Sequence, residues 1–444
     1  MIVHRGLRLA WIAWLAVRVA ASYGMARARA GSVPLDRRAA WWSATHRANA
    51  ERIYRTSVRL RGAFLKVGQF VSTRIDLVPP EYVEVLSRLQ DQVPPLPYAV
   101  IAAQLRRELG KEPDEAFAWF DHQPVAAASL GQVHEARTAD GVRVAVKVQF
   151  PHMEPIVLGD LENLRLGARL AARFRFARHL DVVGIANELV RYVGEEVDYV
   201  QEGRNAERFH EAFKSRPDVV VPRIHWETTT RRVITMDFIE GRRITTDLQA
   251  AERAGDAGRE RIDRVCTTLV DAFCKQTLED GFFHADPHPG NFLVTPDGRL
   301  GLVDFGCAKP IPIEAREDYV KLAQALVQKD GATMARCFHA LGFRTRDDDP
   351  AVLEQLGSTY MAVFMAERAS DFRGLDFEKL WRDMMSSVRA NPVTVPQDFV
   401  MLGRVFVALT AITLEFRPNV SYFRILAPYL LNVLMASRAR APLE

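Results

Sequence analysis

Four short motifs follow one another in a set order, and that order constrains the fold of this 444-residue chain more than any single property. Residues 124–133 read PVAAASLGQV, placing Ala126, Ala128, Gly131 and Val133 in the spacing A-x-A-x-x-G-x-V, with Ala127 and Ser129 between them. Val144-Ala145-Val146-Lys147 comes next, its lysine fourteen residues beyond Val133. Far downstream lie His284-Ala285-Asp286, with Asn291 five residues after the aspartate, and then Asp304-Phe305-Gly306. Singly these are weak, since an alanine run reads as plain helix and any tripeptide occurs by chance. In this order they describe one chemistry. An ammonium on a rigid strand suits Lys147 to neutralising the α- and β-phosphates of a nucleotide. Mg²⁺ takes hard oxygen ligands and few of them from protein, which Asn291 and Asp304 supply. Asp286 is placed to orient or deprotonate an attacking hydroxyl or water. The chain has nine lysines against 50 arginines, so the lysine in V-A-V-K is not its default cation. The expected ligands are ATP or ADP with Mg²⁺, and the reading requires Lys147, Asn291 and Asp304 to converge on one triphosphate.

The spacings match the protein-kinase set G-x-G-x-x-G-x-V, V-A-I-K, H-R-D-L-x-x-x-N and D-F-G. The surrounding pattern agrees. GVRVAVKVQF (141–150) alternates at period two and predicts a strand, preceded by a turn at Asp140-Gly141. RRVITMDFIEG (231–241) predicts a second strand, and two short strands flank Pro296-Asp297-Gly298. Residues 36–75, the stretch opened by Pro79-Pro80, Tyr98–Leu109 and 158–215 read as helix. The expected fold is α+β, a bilobal protein-kinase-like fold with an N-terminal helical extension. The expected division is 1–50, a basic, membrane-associating segment; 51–115, helical; 116–241, the small lobe; 242–345, the core of the large lobe; and 346–444, its C-terminal helical part.

Charge is uneven. Residues 1–60 hold 11 arginines, no lysine and two acids, Asp36 and Glu51, whereas the whole chain sums to only +4. A basic segment on a mildly acidic body points to phosphate-bearing partners, and no motif that reads nucleic acid accompanies it. No uncharged stretch reaches the ~18 residues of a spanning helix. Leu9–Val17 is apolar and aromatic between Arg8 and Arg18. It compares with a signal peptide, an Arg-rich transit peptide or an interfacial anchor, and Trp11 and Trp14 beside arginines favour the anchor. The four cysteines have no ligand spacing and read as buried thiols of a reducing compartment.

Further motifs sharpen the resemblance. Lys66-Val67-Gly68-Gln69 lies in FLKVGQFVSTR, followed by LQDQVPP; Ser129-Leu130-Gly131-Gln132 closes the alanine-rich loop; Glu196-Val197-Asp198 precedes Glu202; and HADPHPGN spans 284–291. With these, over roughly residues 55–345, the chain resembles the UbiB/ADCK-type (AarF-like) atypical kinases linked to ubiquinone and isoprenoid-lipid metabolism. The resemblance implies that the K-x-G-Q helical region folds over the nucleotide cleft with Lys66 facing Glu196 and Asp198. It implies that Glu202 partners Lys147 and that Met236 lines the nucleotide. Asp198 and Glu202 are four apart on one helical face, so spacing leaves their partners open. Gly68 costs roughly 1 kcal/mol of helix stability relative to Ala, which a close approach to another element would explain. Alanine at 126 and 128 restricts the backbone where glycine would not, so Ala128→Gly is expected to change the preference between ATP and ADP. Ala285 replaces the arginine that reads an activation-loop phosphate, and no A-P-E follows Gly306, so a peptide platform is not expected. The function implied is an Mg²⁺-dependent atypical kinase or ATPase supporting quinone or lipid metabolism at the cytoplasmic face of a membrane, or a mitochondrial matrix face in a eukaryote. A nucleotide-gated scaffold for biosynthetic enzymes is the alternative. An isoprenoid or quinone-like lipid and a membrane surface are the expected partners.

Overall fold

A computed structural model of the chain describes residues 5–73, 78–90, 95–127, 130–173, 182–195, 197–345, 349, 351–358, 393–416 and 418–440. It divides into two units, Met1–Arg204 with Ile224–Phe238, and Asn205–Arg223 with Ile239–Glu444.

The first unit begins with helices α1 (Arg5–Arg29), α2 (Arg38–Leu60), α3 (Gly62–Thr73), α4 (Pro80–Ser87) and α5 (Tyr98–Leu109), then the single turn α6 (Pro113–Ala116). Proline at the first turn starts α4, where its missing N–H costs nothing. Gly110 in the left-handed conformation ends α5. The apolar run read as nine residues is part of a 25-residue helix. Arg8, Leu15 and Ala26 are buried on α1, with Trp11, Ile12, Val19, Ser22 and Tyr23 half-buried between them. That spacing is one helical face, turned to the protein. Leu7, Trp14, Val17 and Met25 stand exposed on the rest.

Strands β1 (Trp119–Ala127), β2 (Gly131–Arg137), β3 (Arg143–Gln149) and, later in the chain, β5 (Val233–Asp237) form an antiparallel sheet in that order. The alanine run therefore extends as strand: Ala126 and Ala127 pair with Val133 and Gln132. Tertiary pairing overrides alanine's helix preference there. Between β3 and β5 come α7 (Met153–Ala171), α8 (Val182–Glu195) and α9 (Tyr199–Ala212). Val144, Val146, Val148 and Val233 project from one face of the sheet into a core shared with Ile101 and Leu105 of α5, Val157 and Leu161 of α7, and Val193 of α8. Arg232 pins the arrangement, donating to Glu108 at 2.9 Å and Glu154 at 2.7 Å.

In the second unit, β4 (Val219–Val220), β6 (Arg242–Arg243), β8 (Phe292–Val294) and β9 (Leu300–Leu302) form a small sheet ordered β4-β9-β8-β6, and β7 (Phe282–His284) pairs with β10 (Ala308–Pro310). Helices α10 (Ile244–Arg253), α11 (Asp256–Cys274), α12 (Ile313–Gln328) and α13 (Gly331–Ala340) belong to this unit, with further helices at Gln397–Phe416 and Tyr422–Arg440. Helix α11 runs into a π-helical turn, Lys275–Asp280, that ends at Gly281. Gly281 has φ of +60° and would bring a Cβ within 2.8 Å of the Ile311 carbonyl, so no other residue fits. All four cysteines are buried thiols, and burial pushes Cys266 and Cys274 up to about 12.

Candidate nucleotide site

Opposite residues on antiparallel strands share a face. The pairs Ala126–Val133, Val133–Lys147, Lys147–Ile234 and Ala145–Met236 therefore place Ala126, Val133, Lys147 and Met236 together, on the face away from the valine core. Ala127 pairs with Gln132 and belongs to the opposite face. Ala128 and Ser129 lie outside the described residues, as does Glu196. Gly131 is buried at the start of β2; an added Cβ would sit 2.4 Å from the Val148 carbonyl and 2.8 Å from Tyr199 Oη. Its φ is not positive. Glycine is needed there for packing against β3 and α9, rather than for the left-handed backbone that the phosphate-loop comparison suggests.

Lys147 Nζ donates to both carboxylate oxygens of Glu202, at 2.8 and 3.0 Å. The two side chains are 11% and 3% exposed. The ammonium also lies 5.2 Å from the centre of the Tyr199 ring. Geometry thus separates the two acids that spacing could not. Asp198 instead begins α9: its Oδ1 accepts from the Val200 N–H at 3.0 Å, and its carboxylate lies 3.4 Å from Arg231. Lys66 and Gln69 lie on α3, which packs on α4, α7 and α8. Gln69 Nε2 donates to the Leu89 carbonyl at 2.8 Å. A Cβ on Gly68 would meet Leu89 at 2.5 Å and Ser57 at 3.2 Å, so the glycine of K-x-G-Q admits the neighbouring helices.

A buried polar chain ties the proline-rich segment to β2. Gln132 Oε1 accepts from the Leu96 N–H at 2.8 Å, and its Nε2 lies 2.9 Å from His134 Nε2. His134 Nδ1 lies 2.7 Å from the Asp121 carbonyl. A neutral ring donating from Nδ1 and accepting at Nε2 satisfies both contacts, and burial holds the His134 pKa below its ordinary value.

The second unit builds its site around a buried histidine. His284 Nε2 lies 3.3 Å from the Val303 carbonyl, and its Nδ1 accepts from the Asp286 N–H at 3.3 Å. The neutral Nε2–H tautomer fits both, so one ring holds the backbone before Asp304 and the backbone of Asp286. Gln276, in the π-helical turn, accepts from the His284 N–H at 2.9 Å. His288 Nδ1 accepts from Gly290 N–H at 3.1 Å and shapes the turn Pro289–Asn291. Asn291 Nδ2 donates to the Asp286 carbonyl and to its Oδ2, each at 3.1 Å. Asp304 is held at φ of +62°, a left-handed conformation uncommon outside glycine, and its Oδ1 accepts from Gly306 N–H at 3.3 Å. Such strain persists only where the surroundings over-determine it. Those surroundings are Phe305, fully buried and 5.4 Å from the Phe209 ring centre, with its carbonyl accepting from Asn205 Nδ2 at 2.9 Å.

The donor set suits Mg²⁺. Asn291 commits its amide nitrogen to Asp286, which leaves Oδ1 as its metal-binding atom, and Asp304 adds a carboxylate. Among the described residues no three His, Cys, Asp or Glu side chains form a metal cluster. A cation held by two protein oxygens would draw its remaining ligands from phosphate and water, as Mg²⁺ commonly does. Gln276, His288 and Asn205 were not singled out by the sequence reasoning. His288 lay inside the HADPHPGN motif, and the other two carry no local signal.

A strand lysine paired to a helix glutamate, an H-x-D-x-x-x-x-N loop and a D-F-G turn packed on a phenylalanine define a protein-kinase-like chain. It belongs to the ABC1 atypical kinase-like family, whose domain matches residues 88–338. It is 34% identical over 400 residues to the uncharacterized protein slr1919 of Synechocystis, covering 88% of this chain and 68% of that one. It is 36% identical over 374 residues to Activity of BC1 Complex Kinase 3, a chloroplastic protein of Arabidopsis thaliana, covering 84% of this chain and 51% of the relative. The chain thus spans between about half and two thirds of the length of such curated relatives. Among solved structures it resembles Rv3197 of Mycobacterium tuberculosis, determined as a complex with erythromycin, with a TM-score of 0.57 and 27% identity, covering 85% of this chain and 94% of that one.

Proposed function

We propose that the protein is an Mg²⁺-dependent ATP-using atypical kinase or ATPase that serves isoprenoid-quinone or related lipid metabolism at a membrane surface. The carrying observation is the Lys147–Glu202 pair, two oxygens on one buried ammonium, on the same sheet face as Ala126, Val133 and Met236. A buried ion pair is a poor source of stability compared with apolar packing, so its presence favours a role in holding an ammonium ready for phosphate. Glu202 fixes the lysine rotamer. His284 and Asn291 orient Asp286, whose remaining carboxylate oxygen is the acceptor for a hydroxyl or water proton. Asn291 Oδ1 and the Asp304 carboxylate would hold Mg²⁺, which when bound shields the phosphate charge. The lipid side of the proposal draws on the K-x-G-Q resemblance and the basic N-terminal segment, and the acceptor is water or a small molecule rather than a peptide.

Steady-state phosphate release from Mg·ATP, with and without anionic vesicles and phenolic quinone precursors, tests this. Asp304→Asn is expected to abolish turnover, and vesicles are expected to change the wild-type rate. Full turnover in Asp304→Asn would overturn the catalytic assignment. Stoichiometric transfer to a protein would replace the small-molecule reading.

A further inference from the structure

By length and composition the helical stretch Gly6–Ser32, which contains most of α1, is long and apolar enough to cross a bilayer. Its contacts argue for a different posture. Arg8 is buried and donates to the Asp160 carboxylate and, at 2.6 Å, to the Leu60 carbonyl. Near the other end Tyr23 hydrogen-bonds His46 at 2.7 Å and Tyr82 at 2.9 Å. Drawing α1 across a membrane would strand a buried carboxylate at Asp160 and undo both anchors. The helix is held along its own protein.

Between α1 and α2 lies a groove of about 480 Å³. It is lined by Trp11, Trp14, Arg18, Arg52, Arg55 and Arg59, against one acid, Glu51, which Arg88 also engages. Arg59 lies 4.1 Å over the Trp11 ring, which presents its guanidinium to the groove. Trp14 and Val17, each 58% exposed, stand on α1 at or beside this groove.

We infer that this groove is a headgroup site for an anionic phospholipid, occupied while α1 lies in the plane of the membrane surface. The inference rests on the membrane-surface reading above and locates it. Guanidiniums pair with phosphate oxygens in bidentate geometry. Tryptophan favours the headgroup boundary, and an amphipathic helix buries its outward apolar side chains a few ångströms into it. A soluble phosphate ester or a nucleic acid would answer the arginines but leave Trp14, Val17 and Leu9 in water.

The test is co-sedimentation of the full chain with phosphatidylcholine vesicles, with or without phosphatidylglycerol. Wild type is expected on the anionic vesicles and to leave them in molar salt. Arg18→Gln/Arg55→Gln/Arg59→Gln is expected to weaken binding on the order of 100-fold, about fivefold per arginine. Arg27→Gln/Arg29→Gln/Arg37→Gln removes equal charge outside the groove and is expected to weaken it far less. Should the groove triple melt early, Trp14→Ser serves in its place, since that side chain is exposed, and a clear loss is expected. Equal loss in both triples, or none in the groove variants, would overturn the groove while leaving membrane association intact. Binding of wild type to neither vesicle would overturn membrane association as well. Retention in molar salt would mean a spanning helix, and tighter binding of glycerol phosphate or single-stranded RNA than of vesicles would mean another ligand; each rejects the inference.

Discussion

Lys147→Met separates what the buried ion pair does for folding from what it does for nucleotide. The ammonium satisfies both oxygens of a carboxylate that is only 3% exposed. Removing it leaves Glu202 buried without that partner, and breaking a buried pair from one side costs about 3–5 kcal/mol. Against a total stability of about 5–15 kcal/mol this is a large share. For a unit of this size each kcal/mol moves the midpoint by about 2–4 °C, so melting should fall by roughly 6–20 °C. The double variant Lys147→Met/Glu202→Leu removes both charges and leaves an apolar pair beside Tyr199. It should recover most of the lost stability, because apolar replacements of buried pairs are often neutral or better. Neither variant should turn over ATP. Urea titration followed by circular dichroism measures the first quantity and phosphate release the second. A Lys147→Met protein within about 1 kcal/mol of wild type would show that the pair is not buried as described. A double variant that regained turnover would show that the lysine does not meet the phosphates.

Other expectations follow from the same geometry. His134 has its pKa depressed by burial, so its neutral form is favoured by folding. Its contribution is complete above the unfolded value of 6.5 and is lost as pH falls through the lower folded value. A denaturation series from pH 7.5 down to about 5 should show stability declining, and His134→Gln should flatten that decline; an unchanged slope would remove His134 as its source. Gly131→Ala should destabilise by about 1–3 kcal/mol or more and exceed Gly68→Ala, because the first meets a backbone carbonyl and the second a leucine methyl that can turn aside. Thermal melts that rank them the other way would contradict the packing account. Gln276→Leu removes the acceptor for the His284 N–H and is expected to cost about 1–3 kcal/mol and to slow turnover. A variant matching wild type in both would leave the π-helical turn without a part in the site.

The sequence was most readable where local chemistry and spacing agree. Alternating valines place β3 and Pro80 opens α4, because each signal acts within a few residues. The choice of Glu202 over Asp198 was not readable, since a spacing of four suits one helical face, whereas the structure puts Asp198 just before α9 and Glu202 within it. Nor was the strand conformation of Ala126 and Ala127, which depends on pairing with β2 rather than on alanine's own preference. Gln276 shows the limit clearly. A glutamine in helix-like sequence carries no mark that a widened turn aims it at a backbone N–H eight residues on.

That widened turn has a consequence for how the chain tolerates length changes. A π-helical turn holds one residue more than the regular ladder would, and such turns arise as single-residue insertions into α-helix. Between Lys275 and Asp280 the surplus residue sits directly upstream of the strand that delivers His284. Shortening the segment by one would let α11 continue as ordinary helix at no backbone cost, and would swing each following side chain about 100° around the axis. A deletion that looks harmless to helix formation would thus misdirect the histidine on which two loops depend.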